Sequence, residues 1–239
     1  MRGFSLVELM VGIAVGMFVV AAAALMTSSQ LTDNRRLLLE TQLQQDLRAA
    51  ADIVARDLRR SGYWAEARNG VPSPAGSTIA ANPYGAVVTD SANATVRYAY
   101  RRGAGAEAFG FRLGSDGVLS ACQGALSGAC AWQALTDGTT VQITAFTIGT
   151  TRAGDRARSA NAAEIVIPCP NLCTNADGTQ DTLCWPKVGL REYVISITGH
   201  AVSDAAVTRT LDLSVRLRND RIGLTPSSGV PVGEACPVT

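Results

Sequence analysis

The sequence is poor in the residue types on which most catalytic and metal-binding sites depend. It contains one histidine, His200, in 239 residues, and it has no Gly-x-Ser-x-Gly motif. A serine nucleophile would therefore have to pair with His200, which lies in a strand-like run. Sites that need several histidines are excluded, and no pair of carboxylates is singled out by its spacing. We therefore expect a non-catalytic protein without a metal ion or a cofactor.

Charge is also scarce at the N-terminus. Between Phe4 and Asp33 the only charged residue is Glu8, and the residues from Phe4 to Met26 form an apolar run. About 20 apolar residues are enough to cross the hydrocarbon core of a bilayer as a helix. An ionisable side chain inside such a segment costs roughly 2 to 3 kcal/mol, so it is expected to have a function. The run therefore predicts a membrane segment with one functional acid, Glu8.

The string Gly3-Phe4-Ser5-Leu6-Val7-Glu8-Leu9-Met10, followed by a hydrophobic helix, resembles the processing site of type IV prepilins and of the pseudopilins of type II secretion. The resemblance implies that a membrane peptidase cuts between Gly3 and Phe4 and methylates the new amine of Phe4. It also implies that Glu8 meets the terminal amine of a neighbouring subunit. A carboxylate that is costly in lipid would then be paired in the assembled filament.

Two alternatives to a prepilin N-terminus stay open: a secretory signal peptide and a generic single-span anchor. A secretory signal peptide would also show Arg2, an apolar region and small residues at 21–24 where a signal peptidase could cut. Glu8 argues against a signal peptide, because it interrupts the region that must be apolar. A generic single-span anchor is the second alternative, and it would leave Met1 in place.

Helical periodicity continues beyond the membrane segment, and no glycine or proline occurs between Gly16 and Gly62. Apolar residues recur on one face, with charged residues on the others. This face consists of Leu39, Leu43, Leu47, Ala50, Ala51, Val54 and Leu58. We expect a transmembrane and assembly helix over residues 4–28 and its amphipathic continuation over 29–62, with Gly62 as the stop. The whole helix would be roughly 85 Å long.

Two shorter patterns lie on this helix. Gly12 and Gly16 are four residues apart, a spacing that permits close helix packing against other pilin helices. The alternative is that membrane helices simply contain glycine. The segment 53–64, IVARDLRRSGYW, resembles the helix end of PilW-like minor pilins, and 215–219 resembles their last strand. A charged last turn, a glycine cap and aromatic residues folding back onto the helix would account for 53–64 without any chemistry.

Cysteine is absent from the first 121 residues and occurs six times after them, at Cys122, Cys130, Cys169, Cys173, Cys184 and Cys236. An even number on one side of a membrane segment predicts disulfides in an oxidising compartment such as the periplasm. Cys122 and Cys130 would close a short loop, but fifteen pairings are possible and the connectivity stays open. Zinc at Cys169, Cys173 and Cys184 is an alternative that lacks a second close pair.

After the helix the sequence is typical of strands and loops. Apolar and polar residues alternate over 95–100, 109–113, 141–148, 193–197 and 211–217, and residues 163–167 are a candidate central strand. Asp116-Gly117 and Asp137-Gly138 predict hairpin turns, and 71–83 is a candidate linker. The predicted fold is α+β and pilin-like: a leader (1–3), one long helix, and an antiparallel β-sheet domain over 63–239.

Two binding hypotheses remain. The loop Asn175–Asp181 is rich in oxygen, but on a calcium-loop pattern its first and last ligand positions fall on Cys173 and Cys184, so a simple turn is favoured. Arginines could bind nucleic acid at Arg101-Arg102 and at Arg152, Arg156 and Arg158. Neither group is dense, and solvated loops account for them more simply.

The resemblance implies a minor pilin of a type IV pilus, PilW-like, that takes part in starting assembly or in a tip complex. Such pili serve twitching motility, adhesion or DNA uptake. Its partners would be other minor and major pilins through the N-terminal helix, the prepilin peptidase, the inner-membrane assembly platform and a tip adhesin. The chain would span the inner membrane once, with its C-terminal domain in the periplasm, and then move to the pilus or cell surface. A minor pseudopilin of type II secretion is the alternative.

Overall fold

The fold is described from a computed structural model covering residues 5–70, 80, 82–90, 94–102, 105–125, 130–149, 161–166 and 187–223. One long helix, α1 (Leu6–Leu58), is followed by a short 3-10 turn (Ala67–Gly70) and, within these ranges, ten strands in two antiparallel sheets. The predicted α+β, pilin-like architecture is confirmed. Because no proline or glycine interrupts its second half, α1 runs unbroken from the membrane segment into the domain.

The first sheet is an antiparallel meander. It has the order β1-β2-β3-β4-β5, with β1 at Val87–Asp90, β2 at Thr95–Arg102, β3 at Gly105–Leu113, β4 at Leu119–Ala125 and β5 at Ala131–Ala134. The predicted turn at Asp116-Gly117 joins β3 to β4. Gly117 has φ of +74°, and the Asp116 side chain accepts a hydrogen bond from the Val118 amide at 3.1 Å. Strand alternation at 95–100 and 109–113 is confirmed, whereas no sequence pattern predicts β1, β4 or β5.

The second sheet is built around its longest strand. Its members are β6 (Val141–Gly149), β7 (Asn161–Val166), β8 (Lys187–Ala201), β9 (Asp204–Arg216) and β10 (Arg221–Gly223). Strands β6 and β9 pair with the second half of β8, and β7 and β10 pair with its first residues. Since one strand can pair on only two sides, β8 is the central strand of the sheet.

Two predictions about this region are wrong. Residues 163–167 are predicted to form a central strand, but β7 has β8 as its only partner among the described strands and therefore lies at an edge. The Asp137-Gly138 turn does not close a hairpin, because β5 and β6 belong to different sheets. The Asp137 side chain instead accepts bonds from the amide and hydroxyl of Thr139, at 2.8 and 2.7 Å, and forms the turn between sheets.

The core lies between α1 and the inner faces of both sheets. The predicted apolar face of the helix is confirmed: Leu43, Leu47, Ala50, Ala51, Val54 and Leu58 are buried, and Leu39 packs at the margin. Gly199 of β8 lies under Leu47 of the helix, and a Cβ there would lie 2.9 Å from Gln142 O of β6 and 3.4 Å from Leu47 Cδ2, so the glycine is needed mainly for space beside the neighbouring strand. The second half of α1 is therefore fixed to the domain by packing, while its first half extends beyond it.

Candidate assembly helix and its junction with the sheets

The helix begins immediately beside the predicted processing site. Ser5 precedes α1, and its carbonyl accepts a hydrogen bond from the Leu9 amide at 3.2 Å. Glu8 lies in the first turn, where the helix dipole favours a negative charge, and its side chain is exposed. Gly3 and Phe4 lie outside the described residues. A carboxylate at this position can be reached by a group from another molecule.

Gly12 and Gly16 follow Glu8 at intervals of four residues, which places them next to it along one side of the helix. At both positions a Cβ would meet nothing within 4 Å. The glycines therefore leave a strip of bare backbone beside the acid, open to close approach by another helix.

The first half of α1 projects beyond the described part of the domain. Every residue from Ser5 to Leu38 is exposed, a length of about 50 Å. Large apolar side chains among them are between half and four-fifths exposed, for example Ile13 at 52% and Phe18 at 79%. Among the described residues, α1 is the one helix long and apolar enough to cross a membrane, and none of its most apolar stretch is buried. Such a surface needs lipid or other apolar helices to cover it.

Contact with the domain starts at Leu39 and Glu40. The Glu40 carboxylate accepts bonds from Arg36, one turn earlier, at 3.3 Å and from Arg209 of β9 at 2.5 Å. These side chains are partly exposed, so the ion pairs add little stability. They do fix where the helix leaves the second sheet.

The other end of α1 is tied to the first sheet through Asp57. Its carboxylate accepts hydrogen bonds from the hydroxyls of Tyr98 and Tyr100, the latter at 2.9 Å. Both tyrosines lie on the inner face of β2 among stacked aromatic rings. Burial, and then the nearby Asp57 carboxylate, raise the pKa of the Tyr98 hydroxyl well above 10, and that of Tyr100 is raised by the same causes.

The turn after the helix connects both sheets through its backbone. The Gly62 amide donates to Ala99 O of β2 at 2.9 Å, and Arg59 O accepts from the Arg218 amide at 3.1 Å, just after β9. The Asn219 side chain donates to two more carbonyls of this turn, at 3.2 and 3.0 Å. Gly62 has φ of +79°, as the predicted stop requires. The segment 59–62 is thus the joint between the helix and the two sheets.

A buried arginine completes the joint. Arg191 of β8 is 6% exposed, and its guanidinium donates to Asn219 O at 2.8 Å and to Gly85 O. A Cβ on Gly62 would lie 2.8 Å from Arg191 Nη2, so the glycine is also needed for space. Tyr63 is 49% exposed, and Trp64 lies beside Gly70 of the next turn. That these aromatic residues fold back onto the helix stays a prediction.

The remaining candidate residues fall in three groups. A disulfide joins Cys122 and Cys130. His200 lies on the outer face of β8, opposite Gln142 and Thr208. Arg101 forms an ion pair with Glu66, which lowers the pKa of that carboxyl. The following predicted residues and segments lie outside the described residues: Cys169, Cys173, Cys184, Cys236, Arg152, Arg156, Arg158, the loop 175–181 and most of the linker 71–83.

Sequence reasoning misses the residues of the joint. Tyr98 and Tyr100 stand out in the sequence only as alternating strand residues, although buried tyrosines usually need a partner for their hydroxyls. That rule alone could have suggested a nearby acid such as Asp57. For Arg191 and Asn219 the sequence carries no signal, because their partners are backbone carbonyls distant along the chain.

The comparisons with known proteins agree with this architecture. The family described as prepilin peptidase-dependent protein B matches residues 36–217, about three quarters of the chain. The chain belongs to this family. The prokaryotic N-terminal methylation motif matches residues 1–24 and covers Glu8. No curated protein and no solved structure matches the chain. The protein is therefore a type IV pilin-like, prepilin-type protein, and the family match ends beside the joint at Arg218 and Asn219.

Proposed function

We propose that the protein is a non-enzymatic minor pilin, PilW-like, that takes part in initiating a type IV pilus or in its tip complex. The observation that carries the proposal is the first half of α1, which is exposed throughout, apolar as far as Met26 and headed by Glu8. Lipid covers this surface before assembly, and helices of other pilins cover it afterwards. Because both environments are apolar, the transfer costs little hydrophobic free energy.

Processing follows from the methylation motif. The prepilin peptidase removes the leader 1–3 by cutting between Gly3 and Phe4 and methylates Phe4. Residues 4–28 form the transmembrane and assembly segment, 29–62 its amphipathic continuation and 63–239 the globular domain. The chain spans the inner membrane once with this domain in the periplasm, where the disulfide between Cys122 and Cys130 is stable. It then moves to the pilus or cell surface.

Assembly uses Glu8 and the strip formed by Gly12 and Gly16. The amine of Phe4 in a neighbouring subunit pairs with Glu8, and this contact sets the stagger between the helices. The glycines allow the helices to approach. Partners are other minor and major pilins, the assembly platform and a tip adhesin.

The test is co-purification of the full-length chain with its neighbouring pilins, comparing the native protein with Glu8→Ala and Glu8→Gln. Both variants should insert in the membrane and lose their partners, because neither carries a charge for the amine. Val7→Ala, one residue away, is the matched control and should keep them. Co-assembly of Glu8→Ala at native levels would contradict the proposal.

A gene deletion separates the type IV pilus from type II secretion, which uses pseudopilins with the same N-terminal segment. Loss of surface pili and twitching, with normal amounts of secreted enzymes, is expected. Loss of secreted enzymes with normal pili would assign the chain to the secretion system.

A further inference from the structure

In the part of the chain that the structure describes, the first sheet ends in an open edge beside the helix. Among the described strands, β5 pairs with β4 alone, so its other side has no strand next to it. A cleft of about 370 Å³ lies between this edge and the membrane-distal part of α1. An exposed strand edge next to a helix is a common receptor for an extended peptide, which adds to the sheet as another strand.

The hydrogen bonds between β4 and β5 show which backbone N–H and C=O groups of β5 face the open side. The Leu135 amide, directly after β5, donates to Leu119 O of β4 at 2.8 Å. Because these directions alternate along a strand, Ala131 and Gln133 also bond to β4, whereas Trp132 and Ala134 direct their N–H and C=O groups to the open edge. The edge can therefore form main-chain hydrogen bonds with an added strand without disturbing the ladder to β4.

The side chains around the cleft define what such a strand would carry. The helix contributes Ile53, Arg56 and Arg60, and Ile53 is 43% exposed although it is apolar. Ala131 and Gln133 of β5 form the opposite wall, and Phe109 and Phe111 form the floor. The cleft has a smaller volume than one turn of an α-helix, which is about 10–12 Å in diameter with its side chains. It therefore suits side chains of an extended segment.

The charge of the cleft is positive on its helix wall. Asp57, the acid between the two arginines, is directed at the sheet and accepts bonds from both tyrosine hydroxyls. Arg60 Nη1 and Asp57 Oδ1 form an ion pair 3.9 Å apart, and the Arg60 side chain also bonds Tyr100. The Arg60 side chain is nevertheless 59% exposed. The acid on the other side, Glu107, accepts a bond from Gln123 at 2.9 Å. Arg56 and Arg60 therefore present cationic groups to whatever enters the cleft.

We propose that the open edge of β5 and the cleft beside α1 bind an extended segment of another protein, in which acidic side chains flank an apolar one. The segment adds to β5 through Trp132 and Ala134, directs its acids at Arg56 and Arg60, and places the apolar residue between them in the cleft. This site is separate from the assembly half of the helix. Its failure would leave the proposed filament role intact.

The test uses a defined peptide, Ac-TETVTET-NH2, in which glutamate, valine and glutamate lie on one face of a strand. The full-length chain in detergent micelles is titrated with it calorimetrically at low salt, and hydrogen exchange of residues 131–134 is followed. Binding with slower exchange in β5 is expected. The glutamine analogue Ac-TQTVTQT-NH2 should bind at least about tenfold more weakly, since two charge-assisted contacts are lost. Equal binding of both peptides would overturn the proposal.

Protein variants locate the site. Arg56→Gln with Arg60→Gln should weaken binding about tenfold or more. Arg48→Gln with Arg59→Gln removes the same charge from two exposed side chains outside the cleft, one on α1 and one directly after it, and should change binding by less than about twofold. Ala134→Pro should abolish binding, because it deletes one of the amides that would bond to the added strand. The variant should still fold, since proline is tolerated where the N–H faces away from the ladder.

A second form of the edge test does not depend on the variant's folding. The peptide N-methylated on the amides that face β5 should not bind the native chain. The proposal would be overturned if the unmodified peptide did not bind at millimolar concentration. It would also be overturned if the Trp132 and Ala134 amides exchanged slowly before any peptide is added, because the edge would then already be covered.

Discussion

Replacing Asp57 by alanine should destabilise the domain by a predictable amount. The substitution leaves two tyrosine hydroxyls without their acceptor, and these residues, Tyr98 and Tyr100, are only 3% and 5% exposed. An unpaired buried hydroxyl costs roughly 1 to 3 kcal/mol. Tyr100 lines the cleft and can turn its hydroxyl toward water, so its share falls at the lower end. The expected loss is about 2 to 4 kcal/mol in the free energy of unfolding.

The assay is urea unfolding of the full-length chain in detergent micelles, followed by tryptophan fluorescence. Asp57→Asn keeps an acceptor and should cost only about 1 kcal/mol. A cycle with Tyr98→Phe tests the cause. Once the Tyr98 hydroxyl is removed, Asp57→Ala should cost about 1 to 2 kcal/mol less than in the native background. A loss below about 0.5 kcal/mol for Asp57→Ala, or a cycle with no coupling, would refute the assigned role.

Three further outcomes are expected in the same assay. Gly62→Ala should cost about 1 to 3 kcal/mol, because φ is +79° and the new Cβ would lie 2.8 Å from Arg191 Nη2; unchanged stability would show that the joint can relax. Leu47→Ala, at a site 1% exposed, should cost about 2 to 5 kcal/mol, and a smaller loss would contradict tight packing of α1 on the sheets. The raised pKa of Tyr98 and Tyr100 predicts that the contribution of these two residues to stability is constant below pH 10 and declines above it, since the unfolded tyrosines lose their protons first. Tyr98→Phe should lessen the decline above pH 10, and an equal decline would exclude Tyr98 as its source.

The parts of the fold that follow from local pattern could be predicted from the sequence. The apolar face from Leu43 to Leu58 has the helical period, and the strands with the clearest alternation are evident because one face is buried. Strand β5 is only four residues long and largely exposed, so it carries no alternation to detect. The pairing of β7 at an edge depends on long-range register, which composition does not encode.

The candidate site also has one part that could be predicted from the sequence and one that could not. Glu8 is evident from the sequence because a lone acid in an apolar segment is costly. The joint at 59–62 is not evident, because its bonds from Gly62, Arg191 and Asn219 join backbone groups brought together only by the fold. The segment 53–64, which resembles the helix end of PilW-like minor pilins, thus has a structural role. It holds the helix at one position between two sheets.

The central claim is that the apolar first half of α1 is kept on the mature protein and used for assembly. The most direct measurement is the mass and N-terminal sequence of the protein purified from cells with and without the prepilin peptidase. The account predicts methylated Phe4 as the first residue when the peptidase is present and an uncut Met1 when it is absent. A mature chain that starts near residues 22–25, or one that keeps Met1 and still assembles, would contradict it.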